Sequence, residues 1–271
     1  MNDVAKVRII LYDFLLVEKN HKQMNVNFLQ GDLFNNFVSA TTETTLSQQV
    51  SGTQNSNKRV FLCPNLDVNH TFTYDSKYEI PALSPYNGSV PSKIIPYKAI
   101  SNASHTDCPC FYMNDPETPL LFNNIEYYTD RLSKFDYVIA PDYSMYCGAP
   151  LPVNLQSLFV NRAVAAYWQE HGLNVIPSFN GGDAKTFDYC LVGMPKQSII
   201  ATSNVGVSHS PITRRLWIAL VEMAIKELEP TALIIYGTKI AFRHPDGLPV
   251  YWHEDFIHYR LRKLRKGRRS K

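Results

Sequence analysis

The chain has 271 residues, 45% of them hydrophobic and 19% charged, which excludes global disorder and is long enough to bury a sizeable core. Its formal net charge of +3 conceals an asymmetry: Arg260 to Lys271 holds eight Lys or Arg and no acid, leaving 19 basic and 24 acidic residues elsewhere, a net of −5. No run of about 18 apolar residues occurs, so no membrane-spanning helix is expected.

The apolar stretch Val7 to Leu16 is interrupted by Arg8, Tyr12 and Asp13 and is followed by no small-residue cleavage pattern, so an export leader is not expected. Five cysteines, an odd number, then read as reduced thiols of a cytoplasmic protein rather than a disulfide framework. Residues 1–80 read as a β-rich region with strands at Val7–Phe14 and Arg59–Cys63. Within it, the Ser-, Thr-, Gln- and Asn-rich stretch 39–57 lacks aromatic residues and reads as a flexible loop. Seven prolines between Pro81 and Pro119 predict an irregular, extended segment over 81–120.

An α/β core is expected over 121–250. Phe135 to Pro141 has a buried-strand pattern, and a helix follows from Leu155 to His171, closed by Gly172. Asn174 to Pro177 and Ser198 to Val205 read as the next strands. Ser210-Pro211 marks a helix start, with Ser as cap and Pro at the first helical position, and the helix continues to Leu228. Ala232 to Gly237 is the fourth strand. Strands alternating with helices of this length imply parallel pairing through right-handed crossovers. The fold class is therefore α/β, a parallel sheet with helical crossovers, either doubly wound or a partial (β/α)-barrel-like arrangement. Residues 251–271 read as a basic C-terminal helix and tail, with Trp252, Phe256 and Tyr259 at helical spacing.

In either architecture, ligands bind beyond the carboxyl ends of the strands. The polar residues there are Asp142, Tyr143 and Ser144 after the first strand, Asn180 and Asp183 after the second, Asn204 and His209 after the third, and Tyr236 and Lys239 at the fourth. Asp142 and Asp183 could hold a hard cation such as Mg²⁺ or divide the roles of acid and base; the plainer alternative is that they cap turns. Arg162 falls at the edge of an apolar helix face, where a charge needs a partner; Asp142 or Asp188 would serve. Gly206, Ser208, Ser210 and Arg214 surround a strand-to-helix turn suited to an anion, although the Gly-Lys-Ser/Thr ending of a phosphate loop is absent. His105, Cys108 and Cys110, with Cys63 upstream, make a weak zinc pattern, because Cys-x-Cys is a poor chelate. The cations of the tail, Arg260, Arg262, Lys263, Arg265, Lys266, Arg268, Arg269 and Lys271, would attract a polyanion, with a solvated basic face as the plain alternative.

The order of motifs over about residues 81–237 also carries a resemblance. It rests on Phe111-Tyr112-Met113-Asn114-Asp115, Phe135-Asp136, Pro141 to Tyr146, Asn161-Arg162-Ala163, Tyr167-Trp168, Gly172 to Pro177, Gly193-Met194-Pro195, Pro230 and Tyr236-Gly237. In this order they resemble the phage and mobile-element family known as domain of unknown function 4417. The resemblance implies a mobile-element setting, and a bacterial host cytoplasm if the chain is phage-encoded, but no particular reaction. One departure is visible: Phe179-Asn180-Gly181-Gly182 stands where the family pattern has an Arg-Trp pair.

Three functional expectations follow. The first is a nucleic-acid-associated protein that binds DNA or RNA through the basic tail, with the strand-end anion site as a second contact. The second is a metal-assisted hydrolase or phosphate-handling enzyme centred on Asp142, with Mg²⁺ as the cofactor to test. The third is a non-catalytic adaptor acting on host or element proteins.

Overall fold

The computed structural model describes residues 72–113, 121–207 and 210–256. The strands expected at Val7–Phe14 and Arg59–Cys63, the loop 39–57 and the basic tail lie outside them. The described chain is mixed α/β. Its strands are β1 (Tyr74–Asp75), β2 (Ile80–Pro81), β3 (Ile94–Pro96), β4 (Cys108–Cys110), β5 (Val138–Ile139), β6 (Val175–Ile176), β7 (Ile199–Ser203), β8 (Ala232–Tyr236) and β9 (Val250–His253). The helices are α1 (Ile125–Leu132), α2 (Leu151–Glu170) and α3 (Pro211–Leu228).

β1 and β2 form an antiparallel pair, and every other pairing is parallel: β3 with β4, β5 with β6, and β7 with β8 and β9. A parallel bridge from Ser178 to Ala201 joins the extension of β6 to β7, and β4 lies against β5. The parallel unit read between Phe135 and Gly237 is thus present, and it extends outward in both directions. The proline-rich segment contributes β3 and β4, because its prolines fall where a strand ends or a ladder bond is dispensable. Beyond Gly237, Trp252 and His253, read as the start of a helix, belong to β9; Phe256 is helical, and the rest of the expected helix lies outside the described residues. Val250, Tyr251 and Trp252 are β-branched or aromatic and pair with Leu233, Ile234 and Ile235.

The two crossover helices obey their sequence signals. Ser210 Oγ accepts a hydrogen bond from Ile212 N at 3.2 Å, and Pro211 occupies the first helical position of α3. Glu229, at φ 47°, closes α3 in the left-handed region before Pro230. α2 begins earlier than its apolar spacing suggests, at Leu151, because Pro152 is tolerated in a first turn.

Burial separates the strands into two faces. Leu158, Trp217, Leu220, Val221 and Ala224 of α2 and α3 pack on Ile200, Leu233 and Ile235, while Ala163, Val164 and Trp168 of α2 pack on Val138 and Val175. The alternate strand residues form a third buried cluster: Ile94, Cys108, Cys110, Tyr112, Ile139, Ile176, Ile199, Ala201, Ala232, Ile234 and Tyr236. That cluster contains no helical residue. Among the described residues, no helix is long and apolar enough to cross a membrane.

Candidate functional site

The site is built on the carboxyl ends of β4 to β9. Its scaffold is a set of amide clamps that hold the loop after β5. Asn161 of α2 accepts from Tyr143 N at 2.7 Å and donates to Tyr143 O at 2.9 Å. One helical heptad earlier, Asn154 treats Tyr146 the same way, accepting from its N–H at 2.8 Å and donating to its carbonyl at 3.0 Å. Each side chain reproduces both hydrogen bonds of a neighbouring strand, and both asparagines are buried. Asn180 Nδ2 adds a second donor to Tyr143 O at 2.9 Å. Asp142, directly before Tyr143, is therefore carried on a loop with little freedom.

Around Asp142 lie Cys110, Tyr112 and Arg162, all of whose ionisation its charge affects. Tyr112 is buried after β4, and its hydroxyl shares a 2.8 Å hydrogen bond with Ser178 Oγ after β6. Its ring stacks on Tyr236 of β8, with centroids 5.5 Å apart. Burial, then the Asp142 charge, pushes the Tyr112 phenol well above 10.0, so it remains a neutral hydrogen-bonding group. Tyr236 is also held neutral by burial, and its hydroxyl accepts from Phe256 N at 2.8 Å. His253, at the end of β9, is pulled below 6.5 by burial.

Arg162 differs from its expected place. It lies inside the core at 1% exposure, not at the edge of a helix face. Its Nε donates to Val192 O at 3.1 Å, Nη1 to Ser178 O at 2.8 Å and Nη2 to Cys190 O at 3.1 Å. These bonds tie α2 to the strand-end loop and to the segment before Gly193. Burial lowers its guanidinium to about 10, against the opposing influence of Cys190 and Asp142. Asp188, the other proposed partner, is exposed on the turn Thr186–Asp188.

Asp183 works as a turn cap: Oδ1 accepts from Lys185 N at 3.0 Å and Oδ2 from Gly148 N at 2.7 Å. It thereby joins the loops after β5 and β6. Gly182 passes so close to this first loop that a Cβ there would lie 2.9 Å from the Tyr146 carbonyl carbon. Phe179, where the family pattern has another residue type, is buried in the core under α3.

Asn204 clamps Thr238 as the other asparagines clamp their loops, with Nδ2 donating to Thr238 O at 2.6 Å and Oδ1 accepting from Thr238 N at 2.9 Å. This close approach requires Gly237, whose φ is +138° and whose Cβ would collide with Asn204 Oδ1.

Ser144 is half-buried in the Asp142 loop, and Lys239 is exposed beyond β8. In the expected anion turn, Gly206 is exposed, Ser210 Oγ is occupied as a helix cap and Arg214 is exposed; Ser208 and His209 lie outside the described residues. Arg260, Arg262, Lys263, Arg265, Lys266, Arg268, Arg269 and Lys271 do also.

The zinc pattern does not assemble. Cys108 and Cys110 are fully buried in the strand-face cluster, while His105 is exposed and bonded to Asp136 at 3.1 Å. Among the described residues, no group of three His, Cys, Asp or Glu side chains is arranged to hold a metal ion.

Sequence reading identified Asp142, Asn180, Asn204 and Tyr236 as strand-end residues but missed Asn154, Asn161, Tyr112 and Ser178 as their partners. The available signal was two asparagines seven residues apart on a largely apolar helix, a spacing that puts both on one face.

A family model described as Domain of unknown function (DUF4417) matches residues 72–251, which include every strand described above except the last residues of β9. A "Gene 1 protein" of Mycobacterium phage L5 is 28% identical over 199 residues, spanning 69% of this chain and 85% of the relative. A "Gene 1 protein" of Mycobacterium phage D29 is 26% identical over 204 residues, spanning 69% of this chain and 72% of the relative. No solved structure matches. With a family match over most of its length, the chain belongs to the family of the domain of unknown function DUF4417, together with these phage proteins.

Proposed function

We propose that this phage-related protein is associated with nucleic acid, held by its basic C-terminal segment and presenting the strand-end rim to the bound polymer. The observation that carries the reading is the segregation of charge. Eight cations and no acid fall between Arg260 and Lys271, on a chain otherwise net negative. A polyanion is the partner that such a segment attracts most strongly, by releasing counterions from its phosphates. The place where the segment begins also supports the reading. Phe256, four residues before Arg260 in sequence, donates its N–H to Tyr236 at the carboxyl end of β8.

The strand-face cluster supports a partial (β/α)-barrel reading of the sheet. Residues from β3 to β8 bury their common face against one another without a helix, and Tyr112 and Tyr236 stack although they end strands far apart in the sheet order. A barrel places its ligand site on the rim described above. Asp183 is committed to Gly148 and Lys185, which favours binding over two-carboxylate metal chemistry with Asp142.

The test is a salt titration of DNA and RNA binding by the full-length protein and by a form with Arg265, Lys266, Arg268 and Arg269 changed to Gln. The tail form is expected to bind at least tenfold more weakly near 0.1 M salt, with a shallower salt dependence. Equal affinities and equal salt slopes would refute the tail as the binding element.

A further inference from the structure

An open cleft of about 520 Å³ lies at the amino ends of β4 and β5, away from the rim, and is lined among others by Ile100, His105, Tyr127, Arg131, Lys134 and Phe135. We propose that this cleft receives one nucleotide unit of a single-stranded nucleic acid, its base against Tyr127 and its phosphate on Arg131 and Lys134. The proposal rests on the nucleic-acid reading and adds to it a binding site independent of the tail.

Three features of the cleft point to this ligand class. Tyr127, Arg131 and Lys134 follow at positions i, i+4 and i+7 from α1 into the turn after it, so one stripe carries both the aromatic and the cations. Tyr127 is exposed at 46%, unusual for a large ring, and Tyr128 holds it edge-on with centroids 5.2 Å apart. Arg131 is pre-positioned by a 2.7 Å hydrogen bond from Nη1 to Tyr127 Oη and by the rings of Tyr97 and Tyr127, whose centroids lie 5.9 and 5.5 Å from its Cζ.

Charge pairing sharpens the case. Among the described residues neither Arg131 nor Lys134 has a carboxylate partner, so both positive charges are available to a ligand. No acid among the described residues lines the cleft, and Asp136, close by in sequence, bonds His105 at 3.1 Å. An exposed ring beside two unpaired cations is the combination that single strands use, stacking a base while neutralising its phosphate. A duplex keeps its bases stacked inside and offers the ring nothing.

The experiment measures a labelled oligothymidylate of about 12 nucleotides binding to the full-length protein. Four full-length variants are compared with it: Tyr127→Ala, Tyr127→Phe, Arg131→Gln with Lys134→Gln, and the four-residue tail change above. Tyr127→Ala is expected to weaken binding about five- to hundredfold, and Tyr127→Phe to restore most of it, because the stacking surface is kept and only the bond that positions Arg131 is lost. The double cation change is expected to lower the salt slope by about 1.4, two phosphates' worth on a single strand.

Loss in the cleft variants with no effect of the tail change supports the cleft and refutes the tail. Loss in the tail variant with none in the cleft variants overturns the cleft proposal and leaves the nucleic-acid reading standing. If heparin binds as tightly as the oligonucleotide and Tyr127→Ala changes neither, the cleft is a plain basic surface and the proposal fails.

Discussion

At the scale of single residues, buried polar groups position the site. Arg162 fills three backbone carbonyls from inside the core. Arg162→Ala would leave those acceptors buried and open a cavity, and a loss of about 3–5 kcal/mol of unfolding free energy is expected. Arg162→Lys should recover only part of it, since one ammonium cannot reproduce a planar three-way fork. Urea unfolding checks both changes. Its identity and helical position were legible in the sequence, but its partners were not. Carbonyls from segments 16 to 30 residues away carry no side-chain signature.

The cysteines make a second residue-scale prediction. Burial pushes the thiols of Cys110 and Cys190 up to about 12 and that of Cys108 well above 9.0, so in the folded protein they remain protonated and unreactive. Cys147 is the exposed thiol among the described residues. Burial and the Asp183 charge also raise the Cys147 thiol, so a thiol reagent at neutral pH should modify Cys147 first, though slowly, and leave these three untouched until denaturant is added. The same groups link folding to pH. Their folded pKa values lie above the unfolded value of 9.0, so their stabilising contribution is complete below pH 9.0 and is lost as pH rises towards about 12. Rapid native-state labelling of Cys108 or Cys110 by mass spectrometry would contradict their interior placement.

At the scale of elements, periodicity identified what repeats and missed what pairs. β5 to β8, α2 and α3 were legible because their apolar residues recur at strand or helix spacing and because Ser210-Pro211 caps α3. β3 and β4 were hidden by prolines, and β9 by its length, since four residues hold too few alternations to show a strand period. The loop after β5 shows how elements create the site. Asn154 and Asn161 replace the strand that this loop lacks, each satisfying a backbone N–H and C=O. Asn161→Leu should destabilise the protein by about 1–3 kcal/mol, because Tyr143 N–H would lose its partner and Tyr143 O would keep only Asn180. Amide exchange should locate the damage: Tyr143 N–H should lose protection while β7 and β8 keep theirs. Uniform loss across the sheet would mean that the clamp supports the whole fold rather than its loop.

At the scale of the whole molecule, the chain combines two kinds of information. The family match spans residues 72–251, and the parallel α/β framework lies almost wholly within it. The basic segment lies beyond that match, after the last rim contact at Phe256. Fold class and rim were readable from alternating strands and helices. The convergence of Asp142, Tyr112, Ser178 and Tyr236 was not, since it depends on strand order and on which strand face meets itself. The central claim is that nucleic acid is bound through cations the sequence concentrates after residue 256. The most direct measurement is the salt dependence of oligonucleotide affinity for the full-length protein against the Arg265, Lys266, Arg268 and Arg269 to Gln form. The account predicts a weaker, less salt-sensitive complex for the substituted protein, with the slope reduced by about 2.8 on a single strand. Superimposable titrations for the two proteins would contradict it.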